Sequence, residues 1–180
     1  MFEKTLVCLD GSPLAEEILP LVIGQCMGLE KEIILLKVIP AYITIPSPQS
    51  THVLTFGRSS KPHPIHTTDI GKSTTLEPKV GLELREIERQ EGESKAYLDD
   101  LAARFRSKNV NIRTVSLHGD AGEIILDYAG KSHASIIAMT THGSGGLKRG
   151  LIGSVAQFVL KESQIPALIV KPRGRQSNKS

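Results

Sequence analysis

Asp10-Gly11-Ser12 and the stretch from Thr140 to Ser154 are the two places in this 180-residue sequence whose residue types and spacing could do chemistry. The first is a carboxylate followed by a pliable residue and a hydroxyl. The second holds Gly143, Gly145, Gly146, Gly150 and Gly153, with Lys148 and Arg149 among them and the capping pattern Ser154-x-x-Gln157 at its end. Glycines let a backbone come close to an anion, and a helix N-terminus offers N–H groups and the positive end of a dipole. The chemistry that suits these features is the holding of a phosphate. It is not a Walker loop, because no lysine separates Gly153 from Ser154. It is not a dinucleotide fingerprint either, since Asp-Gly-Ser-Pro stands where a triple-glycine turn would be needed.

Such groups work only if regular elements present them. Thr5 to Leu9 is a short apolar run, as a strand buried on both faces requires, and Ile33 to Ile39 is a second. Between them Ser12 and Pro13 open a helix with the stripe Leu14, Ile18, Leu21, Val22 and Cys26, bent at Pro20 and stopped at Gly28. Gly81 to Lys108 is helical in pattern, through Leu84, Ile87, Ser94, Leu98, Leu101, Ala102 and Phe105. Val110 to Leu117 alternates as a half-exposed strand does. Asp120 and Glu123 form a capping box for a helix through Ile124, Ile125 and Tyr128. Ser135 to Met139 is a fourth strand, Val155 to Lys161 a last helix capped by Ser154, and Pro166 to Val170 a final strand. Strands alternating with helices predict an α/β fold: a single open, mainly parallel five-stranded sheet with helices on both faces, Rossmann-like. In such a sheet ligands sit beyond the carboxyl ends of the strands, where the strand order reverses. Both candidate segments follow strands at that end.

Residues 41–80 stand apart. They carry five of the ten prolines and twelve Ser or Thr without sustained periodicity, and read as a long flexible insertion in a domain spanning 1–171. The formal net charge of +3 does not make a nucleic-acid surface. The insertion contributes +2 and the basic tail 172–180, read as disordered, contributes +3, leaving the body at −2. No aromatic residues are interleaved with these cations to stack on bases. No run of eighteen apolar residues predicts a membrane span. Two cysteines, Cys8 and Cys26, sit inside apolar patterns and read as core residues in a reducing compartment. With no signal-peptide-like apolar block after Met1, the expectation is a cytoplasmic protein.

The ordered set Val7-Cys8-Leu9-Asp10-Gly11-Ser12, Leu36-Lys37-Val38-Ile39-Pro40, Gly119-Asp120-Ala121-Gly122-Glu123, Thr140-Thr141-His142-Gly143, Gly150-Leu151-Ile152-Gly153-Ser154-Val155-Ala156 and Ile165-Pro166-Ala167-Leu168-Ile169-Val170 resembles the universal stress proteins of the UspA-like family. The resemblance covers nearly all of 1–40 and 81–171. It implies an adenine nucleotide alpha hydrolase-like fold and a regulatory stress-response protein that binds ATP, with or without magnesium, and hydrolyses it slowly at most. ATP-binding members resemble Gly-x2-Gly-x9-Gly-Ser/Thr; here Gly143, nine residues and Gly153-Ser154 match, while Thr140 replaces the leading glycine. By resemblance Asp10 and Val38 flank the adenosine, and Gly143, Gly153, Ser154 and Val155 hold the ribose and phosphates. Thr140, His142 and Gly146 complete the candidate nucleotide-binding set. A left-handed backbone at Thr140 would cost roughly 1–2 kcal/mol. The resemblance also implies a homodimer through the last strand, Ala167, Leu168, Ile169 and Val170, which as an edge is open to pairing.

Plainer readings stand beside these. Asp10 can simply close its own turn, Ser154 can be only a cap, and the glycines a linker, although Leu147, Leu151 and Ile152 among them favour a loop that packs back. His142 has no acid or cysteine fixed beside it by the sequence, so it reads as a loop histidine and no catalytic residue is assigned. His63, His66 and His52 lie in the insertion and are poor grounds for a metal; no structural metal is expected. The alternative function is a dimeric interaction module of the same family that binds no nucleotide, which Thr140 would permit.

Overall fold

The structure, a computed structural model, describes residues 3–26, 31–46, 51–55, 77–108, 110–141 and 152–172. Its strands are β1 (Lys4–Leu9), β2 (Glu32–Ile39), β3 (Tyr42–Pro46), β4 (Thr51–Thr55), β5 (Asn111–His118), β6 (Ile136–Thr140) and β7 (Ala167–Val170). Its helices are α1 (Pro13–Glu16), α2 (Leu19–Cys26), α3 (Glu77–Arg104), α4 (Ala121–Lys131) and α5 (Ser154–Glu162). Five strands form a parallel sheet in the order β5-β2-β1-β6-β7. The chain moves outward from β1 through β2 to β5, then returns to place β6 on the other side of β1. The strand order therefore reverses between β1 and β6, as a nucleotide-type sheet demands.

Alternation along the central strands feeds two cores. Val7, Leu9, Ile33, Leu35 and Ala138 face Ala15, Ile18, Leu19, Val22, Ile23 and Cys26 of the first two helices and Leu98 and Leu101 of α3. Leu6, Cys8, Ile34, Leu36, Ile137 and Met139 face Ile125 and Ala129 of α4 and Ala156 and Val159 of α5. Each fully buried Leu or Ile contributes about 1.5–3 kcal/mol, which is why the inner strands must be apolar on both sides. Helices on both faces and a parallel sheet agree with the expectation from the pattern.

Four local readings are corrected. The helix expected from Ser12 to Gly28 is two pieces, broken at Glu17 and Ile18, with Pro20 in the first turn of α2, where a missing N–H costs little. The restart shifts the helical phase, so Leu19 and Ile23 are buried and Leu21 is 42% exposed. The segment 41–80 contains a two-stranded antiparallel sheet, β3 with β4, pairing Ile43 with Leu54 and Ile45 with His52. Helix α3 starts at Glu77 rather than Gly81 and ends at Arg104, followed by a 3-10 turn at Arg106–Lys108. Finally, the N-cap of α5 is Gly153 and not Ser154.

Helix α3 joins the outer strand through polar contacts. Glu91 meets His118 at 3.0 Å, Ser94 meets Ser116, and Asp99 accepts from the Thr114 hydroxyl at 3.1 Å. The helix runs antiparallel to β5, so its first turns pass the end of the sheet at His118. Among the described residues Leu84 and Ile87, expected in the buried stripe, are 55% and 44% exposed. Among the described residues no helix is long and apolar enough to cross a membrane.

Candidate functional site

The carboxyl ends of β1, β2 and β6 bring together Asp10, Val38 and Thr140, with the start of α5 beside them. Asp10 is exposed just beyond β1. Its Oδ1 accepts from the Ser12 backbone N–H at 2.9 Å and from the Ser12 hydroxyl at 2.7 Å. The Ser12 hydroxyl in turn accepts from the Ala15 N–H at 3.2 Å, capping α1. The turn-closing role of Asp10 is therefore real, and it holds the carboxylate in a set orientation at the mouth of the crevice. Gly11 has φ +88, a conformation that side chains resist. A Cβ there would lie 3.3 Å from the Lys37 Nζ.

On the other side of the reversal, Thr140 is the last residue of β6, 8% exposed and paired in register with Val170. Among the described residues the one non-glycine with positive φ is His133. Thr140 thus sits in ordinary strand conformation, and the strain considered for a threonine at this position is absent. The Thr141 N–H donates to the Val170 carbonyl at 2.9 Å, and the Gly153 N–H donates to the Thr141 carbonyl at 2.6 Å. The first bond ties the end of β6 to β7, and the second fastens the start of α5 to the end of β6. His142, Gly143 and Gly146 lie outside the described residues, as do Lys148 and Arg149.

Among the described residues no side chain caps the first turn of α5. Gly153 offers no side chain to cap it, and no acidic residue stands in that turn. Ser154 is exposed and Val155 partly buried, and the positive dipole end of α5 begins next to Thr141, whose carbonyl accepts from the Gly153 N–H. Val38 is partly buried on the α4–α5 side, in register with Leu117 of β5.

Two further side chains complete the edge, and the sequence reading passed over both. Lys37 interrupts the apolar run of β2, which was the available signal; its ammonium lies 5.2 Å from the centroid of the Tyr97 ring. The Tyr97 hydroxyl is buried, and among the described residues the Glu16 carboxylate stands nearest to partnering it, short of full hydrogen-bond geometry. Burial, then the negative charges of Glu16 and Asp10, push the Tyr97 phenol well above its ordinary value. It stays protonated. Burial likewise pushes the Cys8 thiol up, so Cys8 is a core residue and not a nucleophile. Among the described residues no three His, Cys, Asp or Glu side chains group as metal ligands; His63 and His66 lie outside them. The acidic tip of β1 and the start of α5 flank the point where the strand order reverses, an arrangement suited to holding an anion, with no activated nucleophile between them among the described residues.

The universal stress protein family model matches residues 52–171. The universal stress protein YxiE of Bacillus subtilis is 26% identical over 172 residues, 95% of this chain and 100% of its own length. The universal stress protein MJ0531 of Methanocaldococcus jannaschii is 33% identical over 108 residues, 59% of this chain and 62% of its own length. Among solved structures, the hypothetical protein MJ0577 of Methanocaldococcus jannaschii superposes with a TM-score of 0.70 at 23% identity, covering 97% of this chain and 99% of that one. A universal stress protein in complex with cAMP gives 0.57 at 14% identity, over 95% and 98% of the two chains. A universal stress protein family protein from Arabidopsis thaliana with AMP bound gives 0.54 at 14%, over 95% of this chain and 92% of that one. A family model that matches well over half of the sequence, on a fold shared with these proteins, leaves one conclusion: the chain belongs to the universal stress protein family.

Proposed function

We propose that this protein binds an adenine nucleotide, ATP with magnesium, in the crevice beyond β1 and β6, and acts in regulation rather than turnover. The observation that carries the reading is the bare N-terminus of α5, fastened to the end of β6 at the point where the strand order reverses. Its uncapped amides suit the phosphates, and Asp10 and Val38 suit the nucleoside on the far side. Relatives of the same fold holding cAMP and AMP support the ligand class. The strand conformation of Thr140 removes the objection that this residue raised. His142, Gly143, Gly146, Gly153, Ser154 and Val155 are assigned to the phosphate side.

Isothermal titration of nucleotide-free protein with ATP and magnesium tests the proposal. Saturable binding with one site per chain is expected, and the absence of heat across a range of temperatures overturns it. Slow hydrolysis at most is expected, as the family resemblance implies. Among the described residues β7 pairs on one side only, with β6, which supports a homodimer through Ala167 to Val170; a monodisperse monomer in light scattering at high micromolar concentration argues against it. The nucleotide unit is residues 1–171, with the segment 41–80 and the tail from 172 outside the binding role.

A further inference from the structure

The opposite end of the sheet holds a small cavity of about 30 Å³, at the amino ends of β1 and β6 on the face covered by α2. Val22, Ile136 and Leu168 form its apolar wall, and Thr5, Cys26 and Lys31 bring polar groups to it. Thr5 and Ile136 are paired in register, and Cys26 is the last residue of α2. Thr5 is 6% exposed, and its hydroxyl makes no hydrogen bond among the described residues. A buried hydroxyl without a partner marks a place where a small polar guest completes the bonding. Lys31 is partly buried, and its Nζ donates to the Gln25 carbonyl at 3.2 Å. Its ammonium therefore offsets the negative end of α2 next to Cys26.

The volume decides which guest fits. A water-sized molecule needs roughly 10–15 Å³ of such space, so the cavity takes about two oxygen atoms and no organic thiol. Hydrogen peroxide has that size. The only other cysteine, Cys8, belongs to the core on the far face of the sheet, whereas Cys26 belongs to the core on the α2 side. We propose that Cys26 is a modification site, a thiol oxidised by hydrogen peroxide in a cavity sized for that molecule, separate from the nucleotide crevice and independent of it. The sulfur attacks one peroxide oxygen, so an S–O bond forms and the O–O bond breaks. Sulfur gives two electrons to the peroxide. The departing hydroxide takes the thiol proton and leaves as water, with Lys31 supplying positive charge at the cavity. The product is a sulfenic acid whose new oxygen bonds to the Thr5 hydroxyl. With the sheet between it and Cys8, and no room for an outside thiol, it does not go on to a disulfide.

The test exposes the folded full-length protein to hydrogen peroxide for increasing times and removes the oxidant with catalase. The chain is then unfolded in dimedone, and mass spectrometry reads the adduct at each cysteine. Cys8, whose thiol is pushed up by burial, is the internal reference. Cys26 is expected to be trapped at least about tenfold faster than Cys8. Thr5→Val, which keeps the volume and removes the hydroxyl, should lower the Cys26 rate about fivefold, the worth of one neutral hydrogen bond, and Thr5→Ser should restore it. If Thr5→Val folds poorly, Lys31→Met takes its place, with a loss in the same direction. Equal trapping of the two cysteines, which would indicate opening of the whole fold, overturns the proposal. So does a rate unchanged by the variants, or a mixed disulfide of Cys26 with oxidised glutathione that forms as fast as the sulfenic acid.

Discussion

Helices α4 and α5 pack side by side on one face of the sheet, yet their N-termini are built in opposite ways. Helix α4 closes its own start: the Asp120 carboxylate accepts the Glu123 N–H at 3.2 Å, and Glu123 adds a negative charge to the first turn. Helix α5 begins at Gly153 with neither cap nor acid. A cap and an acidic first turn are each worth up to about 1 kcal/mol, so α5 forgoes stability that its neighbour takes. The difference separates a helix end closed by its own side chains from one that, under the proposed function, receives an anion. The same contrast explains why each follows a different strand. Gly119, before α4, donates its N–H to the Ile39 carbonyl at the edge of β2, whereas Gly153 is fastened to Thr141, at the reversal point.

The largest effect should come from forcing the two helices apart. A Cβ on Gly122 would lie 2.3 Å from Phe158 Cδ1, so the first turn of α4 needs glycine to meet that ring. Gly122→Leu is expected to cost about 3 kcal/mol in urea denaturation. Adding Phe158→Ala should recover part of that loss; full additivity of the two changes would show that the contact is not the cause.

Exchanging the character of the helix ends sharpens the comparison. Gly153 has φ −57 and ψ 151, open to any residue. Gly153→Asp should raise stability by about 0.5–1 kcal/mol while weakening ATP at least about tenfold, since a carboxylate then occupies the anion end. Thermal unfolding and titration read the two effects separately, and unchanged ATP affinity would remove α5 from the site. The reciprocal change, Asp120→Ala, should cost about 1 kcal/mol and leave ATP affinity alone. Reduced nucleotide affinity in that variant would mean that α4 is not merely structural.

The smallest effect lies away from both helix ends, at Asp99 on α3. Hydrogen bonds from Lys95, then from Thr114, lower its pKa. A carboxyl lowered in the folded state adds stability that is complete above its unfolded value, about 3.9, and is lost as pH falls through the folded value. The melting-temperature gap between wild type and Asp99→Asn should therefore be present at neutral pH and close toward strong acid. Because Asp99 is solvent-exposed the gap should be small. A gap that widens on acidification would reverse the assigned cause.

Much of this was legible beforehand because burial leaves a periodic trace. The doubly buried strands around Val7 and Leu35, the Asp120 start of α4 and the Ser12 start of α1 follow from local patterns whose physics is short-range. Pairing within 41–80 was not legible, since hairpin register arises between segments and Thr44 and Thr51 carry little alternation. Nor was the exposure of Leu84 and Ile87, because a helical stripe shows which side is apolar without showing where the sheet beneath it ends. At the site, Asp10, Thr140 and the glycines were visible as types, but Lys37 and Tyr97 were not, as they meet only after β2 and α3 pack.

The chain's own pattern determined the alternation of strands and helices, and with it a crossover sheet whose carboxyl edge must carry any ligand. Chirality and short connections leave few other ways to bury such runs. Packing alone decided which helix start is fastened at the reversal of strand order and which cation lies over the Tyr97 ring. Those outcomes depend on distances between elements far apart in sequence: Gly153 reaching Thr141, and Lys37 lying between Gly11 and Tyr97.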